Sequence, residues 1–167
     1  MILRQDIRDP LDANRDTGAD LDAPLARAIE AACDAAGKVG PHPWRFYILE
    51  AESASAVAWL AARGIEPLVG AEGSRAAYEQ WRAVPGWIAV TCLRSSDATQ
   101  SERDREASLT AVQRATLSLW SDNIPCNWVP DLVSEEHEFY ALIGADPARE
   151  EALGIVLYGH PERRHGL

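Results

Sequence analysis

Gly37-Lys38-Val39-Gly40-Pro41-His42-Pro43-Trp44-Arg45-Phe46 is the stretch on which the reading of the fold turns. It holds the only lysine of the chain, set between two glycines, and runs straight into an apolar, aromatic segment from Trp44 to Leu49. Glycines at this spacing let backbone N–H groups approach a ligand closely, and a lysine among them adds a cation, so an anionic group is a natural guest. The plainer alternative is a helix-to-strand connection, with Gly37 as a helix C-cap and Pro41 and Pro43 stiffening the turn. No G-x-x-x-x-G-K-[ST] phosphate loop is present.

The residues before this stretch predict a helix. Asp22 is an N-cap candidate with Pro24 in the first turn, and Leu25, Ile29, Ala32, Cys33 and Ala36 follow helical spacing up to Gly37. Further upstream, Ile2, Leu3 and Ile7 allow a short helical turn, then a polar loop runs through Asp20; residues 1–21 are expected to be an extended or poorly ordered segment. Downstream, Trp44–Glu50 predicts a strand, and a helix capped by Ser53 and closed by Gly64 follows. Ile65–Gly73 reads as a loop, and Ser74 opens a short helix carrying Tyr78 and Trp81 that ends before Pro85.

Trp87–Leu93 is nearly continuous in apolar and β-branched residues, as in a buried central strand. Arg94–Arg103 reads as a polar loop. Asp104–Asp122 predicts the longest helix, mostly buried, and Asn123–Val133 reads as irregular. Ser134 caps a helix ended by Gly144, Asp146-Pro147 starts a helical turn, and Leu153–Tyr158 is a last strand before Gly159-His160-Pro161. Strands and helices do not alternate as in a doubly wound parallel sheet, and no G-x-G-x-x-G follows a strand. The expected class is α+β, a single domain over residues 1–167 with a small antiparallel or mixed central sheet and helices on both faces.

Composition narrows the function. With 47% hydrophobic and 25% charged residues the chain is globular in type. A net charge of −10 argues against nucleic acid and anionic membrane as main partners, since both demand a basic surface. The three cysteines, Cys33, Cys92 and Cys126, are far apart, form no C-x-x-C, and have no histidine at zinc spacing. No apolar run has the length of a membrane span and no signal-peptide pattern opens the chain, so a cytoplasmic protein is expected. Trp44, Trp59, Trp81, Trp87 and Trp120 read as packing residues, and His137 among its glutamates reads as a solvated helix start.

Three segments taken together resemble the nitroreductase family of flavin enzymes. Pro43-Trp44-Arg45-Phe46 resembles that family's Q-P-W-R-F run, which follows a polar loop touching flavin. The long helix leading into Asn123-Ile124-Pro125-Cys126-Asn127-Trp128 is similar to the family's helix ending in a G-I-G-S-x-W turn, whose backbone passes the flavin ring. Gly154-Ile155-Val156-Leu157-Tyr158-Gly159-His160-Pro161 resembles the final strand and its G-Y-P. Their order and spacing agree from Ala26 to Pro161.

The resemblance implies an α+β fold and a homodimer with FMN at the subunit interface. It also implies a ping-pong reaction in which NAD(P)H reduces the flavin and a small-molecule electron acceptor reoxidises it. Such chemistry belongs to the cofactor, so no catalytic acid or nucleophile is assigned. By position, the resemblance places Arg4, Gly37, Lys38, Val39, Gly40, Pro125, Cys126, Asn127, Trp128, Arg163 and Arg164 at the cofactor, with no metal. Arg4, Lys38, Arg163 and Arg164 would meet the phosphate or the ring carbonyls. The chain departs from the pattern at Asp6, where the family has serine, and at Asn123 and Pro125, where it has glycine; Pro125 also lacks an N–H. Only Arg163-Arg164-His165-Gly166-Leu167 stand where a longer arm is usual, so a short arm and a looser dimer are expected. These departures suit a second reading, a flavin-free protein that keeps the fold as a binding or partner protein.

Overall fold

Gly86–Leu93 (β3) lies at the centre of the structure, a computed structural model describing residues 3–4, 21–35, 41–130, 132 and 137–159. All of β3 except Leu93 is buried, as its unbroken apolar composition requires. Around it stand β1 (Leu3–Arg4), β2 (Trp44–Leu49), β4 (Cys126–Pro130) and β5 (Glu150–Tyr158), in the order β1-β2-β3-β5-β4 with every pairing antiparallel. The two-residue period of a strand sends alternate side chains to two cores. Trp44, Phe46, Ile48, Ile88, Val90 and Cys92 pack on one face against α1 (Asp22–Ala35) and α3 (Ala98–Ser121). Tyr47, Leu49, Trp87, Ala89, Ile155 and Leu157 pack on the other against α2 (Ala51–Arg82) and α4 (His137–Ile143). The expected α+β sheet with helices on both faces is therefore present.

Several elements differ from the sequence reading, each for an identifiable reason. Leu3–Arg4 is a strand rather than a helical turn: its backbone pairs with Ile48 and Tyr47 at the sheet edge. Helix α2 starts at Ala51, with Glu50 at the cap position and Ser53 buried inside it. It is assigned as helix through Arg82, across the segment read as a loop, and only Gly70 leaves helical geometry, at φ 75° and ψ 172°. The chain nevertheless reverses there. Ser55 and Tyr78 hydroxyls are 3.0 Å apart and Ser74 Oγ donates to the Ala62 carbonyl at 2.8 Å, whereas residues 55 and 78 of a straight helix would be about 35 Å apart. Residues 51–82 are thus a helical hairpin folded at a single glycine.

Helix α3 begins at Ala98, not Asp104, because Asp97 is its cap and accepts from Gln100 N at 2.7 Å. Its first two turns carry mainly polar side chains, so apolar periodicity could not announce them. At its other end Asn123 takes the left-handed conformation (φ 59°), and Ile124 N donates back to the Leu119 carbonyl at 2.9 Å, closing the helix.

Residues 126–130, read as irregular, form edge strand β4, where the flanking Pro125 and terminal Pro130 are tolerated. Strand β5 starts at Glu150, three residues ahead of Leu153, with a register shift opposite Val90 and Thr91. Beside that shift Gly154 has φ 146°. A Cβ there would lie 2.6 Å from the Val129 carbonyl oxygen and 2.8 Å from Trp128 Cη2, so glycine is what lets β4 close on β5. Gly144 ends α4 in the left-handed region and Asp146 caps the following turn through Ala148 N, both as expected. Ser134 and Gly37 lie outside the described residues.

Candidate functional site

Two corners of the sheet concern the stretches singled out above, of whose site residues the structure describes residues 125–128 and the backbone of Arg4. The first is the lead-in to β2. Pro43 O accepts from Leu93 N at 2.7 Å, tying the segment to the end of β3. The His42 ring stacks on Trp44, with centroids 4.4 Å apart and planes 19° from parallel. Arg45 Nη1 donates to the carbonyls of Trp44 (3.1 Å) and His42 (3.3 Å). Trp44 is fully buried, and its indole N–H has no hydrogen-bond partner among the described residues. Gly37, Lys38, Val39 and Gly40, just upstream, lie outside the described residues, as do Arg163 and Arg164. For Arg4 the backbone is described and places it beside Tyr47.

The second corner is the turn after α3. Pro125 O accepts from Gly159 N at 3.0 Å, which sets the ladder phase. With Asn127 and Val129 bonded inward in alternation, the N–H groups of Cys126 and Trp128 face the outer edge of the sheet. Cys126 Sγ donates to the Thr116 carbonyl at 3.5 Å, Asn127 is exposed, and half-buried Trp128 packs on the α1/α3 face. Burial pushes the Cys126 thiol above its ordinary range, so it is protonated near neutrality and a poor nucleophile. Among the described residues no group of three or more His, Cys, Asp and Glu side chains could hold a metal.

One chain does not bring the two corners together. Trp44 stands opposite Cys92, whereas Cys126 stands opposite Tyr158, which faces Gly86. Six residues of strand, about 20 Å, separate those levels, and two intervening strands separate β2 from β4. Next to the second corner, α3 exposes Leu117 (65%) and Trp120 (59%), one turn apart. Trp120 and Trp59 are therefore surface residues, contrary to the packing role read from sequence, whereas Trp44 and Trp87 are buried as expected.

Some polar residues escaped the sequence reading. Glu150 is 3% exposed, and its carboxylate accepts from Tyr47 OH (2.7 Å) and Thr91 Oγ1 (2.5 Å). Nothing in sequence distinguishes it from a solvated acid, since its partners are 103 and 59 residues away. Arg45 and His42 sat inside the quoted stretch but had no assigned role; the signal was their place between two prolines and a strand.

No protein-family model matches the sequence, and no curated protein matches it significantly. Solved structures do match. A nitroreductase-like family protein from Bacillus cereus superposes with a TM-score of 0.63 at 17% identity, over 81% of this chain and 74% of that one. The NADPH:FMN oxidoreductase from Vibrio harveyi, complexed with NAD+, gives 0.64 at 13% identity, over 87% of this chain; the match spans only 62% of that enzyme. An FMN-dependent nitroreductase from Clostridium difficile gives 0.61 at 14% identity, over 96% and 85% of the two chains. The chain has a nitroreductase-like fold.

Proposed function

We propose that two copies of this chain form an FMN-dependent NAD(P)H oxidoreductase of the nitroreductase type, acting on a small organic acceptor in the cytoplasm. The carrying observation is the separation of the two corners, about 20 Å apart along the strands of one chain, beside an exposed apolar face of α3. A second copy packed on Leu117 and Trp120 would cover that face and bring its own lead-in segment toward the outer edge of β4. The fold likeness to FMN-dependent proteins supports the same reading.

The second corner fits a flat, acceptor-rich ring. The outward N–H groups of Cys126 and Trp128 can donate to ring nitrogens or carbonyls, and Trp128 offers an aromatic wall that excludes water. Lys38, Arg4, Arg163 and Arg164 are proposed to neutralise the phosphate, against a chain of net charge −10. Bound FMN would supply the hydride chemistry. The protonated Cys126 thiol stays out of covalent steps. Among the described residues no helix is long and apolar enough to cross a membrane.

Pro125, lacking an N–H where the ring would pass, favours the second reading, a flavin-free binding protein. Stopped-flow mixing with NADH or NADPH after FMN loading separates the two. The enzyme reading expects bleaching of the flavin band and its return on adding quinone or nitroaromatic. A protein that ignores FMN leaves the binding-protein reading.

A further inference from the structure

We propose that Arg45 is a positioning residue for the cofactor corner, acting through His42. Four contacts among the described residues hold the lead-in segment. Arg45 Nη1 donates to the carbonyl of His42 (3.3 Å) and to that of Trp44 (3.1 Å), Leu93 N donates to Pro43 O (2.7 Å), and the His42 ring lies on Trp44 (4.4 Å). Of these, the Leu93 bond is an ordinary extension of the β2–β3 ladder and would hold any residue at position 43. The Arg45 contact to His42 reaches one residue beyond the ladder. There, Pro41 and Pro43 flank His42 and offer no N–H to hold it.

The geometry gives His42 one defined ring plane. Its neighbour Trp44 is fully buried and cannot follow a swinging imidazole, so the stack persists only while the His42 backbone stays in place. A single guanidinium nitrogen, Nη1, donates to both carbonyls, its direction fixed by the planar group; a lysine ammonium on a flexible stem loses that fixed direction. Arg45 therefore sets where the half-buried imidazole, a planar hydrogen-bonding group, meets a ligand at this corner. A fixed ring lowers the ordering cost of binding, so freeing it should weaken affinity without altering the fold.

This inference rests on the flavin reading for the identity of the ligand, but not for the clamp itself. The test uses the full chain and three variants, Arg45→Lys, Arg45→Met and His42→Ala, each followed by thermal melting, FMN titration and proton NMR of the His42 ring. In the wild type the indole beneath His42 is expected to shift its ring protons upfield. Both Arg45 variants are expected to move that resonance back toward the free-histidine position and to raise the FMN dissociation constant about tenfold, the scale of one lost hydrogen bond. His42→Ala should match that loss of affinity. Arg45→Lys, which keeps the charge and most of the packing, guards against a Met variant that fails to fold. An unshifted His42 resonance in folded Arg45→Lys overturns the clamp. An unchanged dissociation constant with a shifted resonance overturns its role in binding. If the wild type binds no FMN, the flavin reading falls and the resonance still decides the clamp.

Discussion

Gly154 shows how one residue admits a whole strand. Its φ of 146° and the 2.6–2.8 Å approach of Val129 O, Pro130 Cα and Trp128 Cη2 leave no room for a side chain. Gly154→Ala is expected to cost roughly 2–4 kcal/mol, from backbone strain plus overpacking at β4, read by urea denaturation. A loss below about 0.5 kcal/mol, the scale of an ordinary surface change, would mean that β4 does not sit against β5 in this way. The thiols make a second residue-scale case. Burial raises Cys33, Cys92 and Cys126, with Asp34 and Glu30 adding to Cys33 and the Ser108 hydrogen bond partly opposing the shift at Cys92. A raised folded value means the unfolded chain gives up its thiol protons first, so it binds fewer protons in that window. Stability is then intact at neutral pH and falls as pH rises beyond about 8.5, the ordinary thiol value. Melting curves from neutral to alkaline pH, compared with a Cys92→Ser variant, should show a shallower alkaline decline in the variant; equal slopes would contradict the assignment.

At the scale of elements, legibility followed apolar periodicity. Strands β2 and β3 were readable because Trp44–Leu49 and Trp87–Leu93 are apolar runs bounded by proline or glycine, and α1 because Leu25, Ile29, Ala32 and Cys33 recur at helical spacing. Strand β4 was not readable: five residues with proline at the end and asparagine inside carry no two-residue pattern, and only pairing with Tyr158–Gly154 makes them a strand. The first turns of α3 failed for the same reason, lying beyond the apolar face. In α2 the reversal at Gly70 falls within the segment read as a loop, because nothing local says that one glycine suffices to fold a helix back. Gly70, at φ 75° and ψ 172°, occupies a region nearly closed to other residues, while open space surrounds its Cβ position. Gly70→Ala should therefore cost about 1–3 kcal/mol through backbone strain alone. It should also loosen the Trp59–Tyr78 edge contact, now 5.5 Å between centroids, and change the tryptophan fluorescence of the native state. Unaltered stability and fluorescence would mean that the hairpin does not depend on this conformation.

For the whole molecule, sequence and structure speak to different parts of the site. The three family-like segments were legible and lie on a fold of the matching kind. Their relative placement was not legible, because it depends on strand order and register; within one chain the corners stay apart. On the proposed reading, association through α3 completes the site. Leu117→Asp with Trp120→Asp would place charges in the apolar contact and is expected to shift the protein to a monomer that stays folded, since both side chains are exposed in one chain, and that melts independently of concentration.

Sedimentation velocity of the wild type with added FMN, followed at both the protein and the flavin absorbance, tests the two-copy site most directly. A two-copy site requires flavin moving with a dimer at about one FMN per chain, as two identical sites in a symmetric pair demand, and flavin left behind by the Leu117→Asp/Trp120→Asp monomer. Flavin bound equally by a monomer, or a wild-type dimer that sediments colourless through excess FMN, would contradict it.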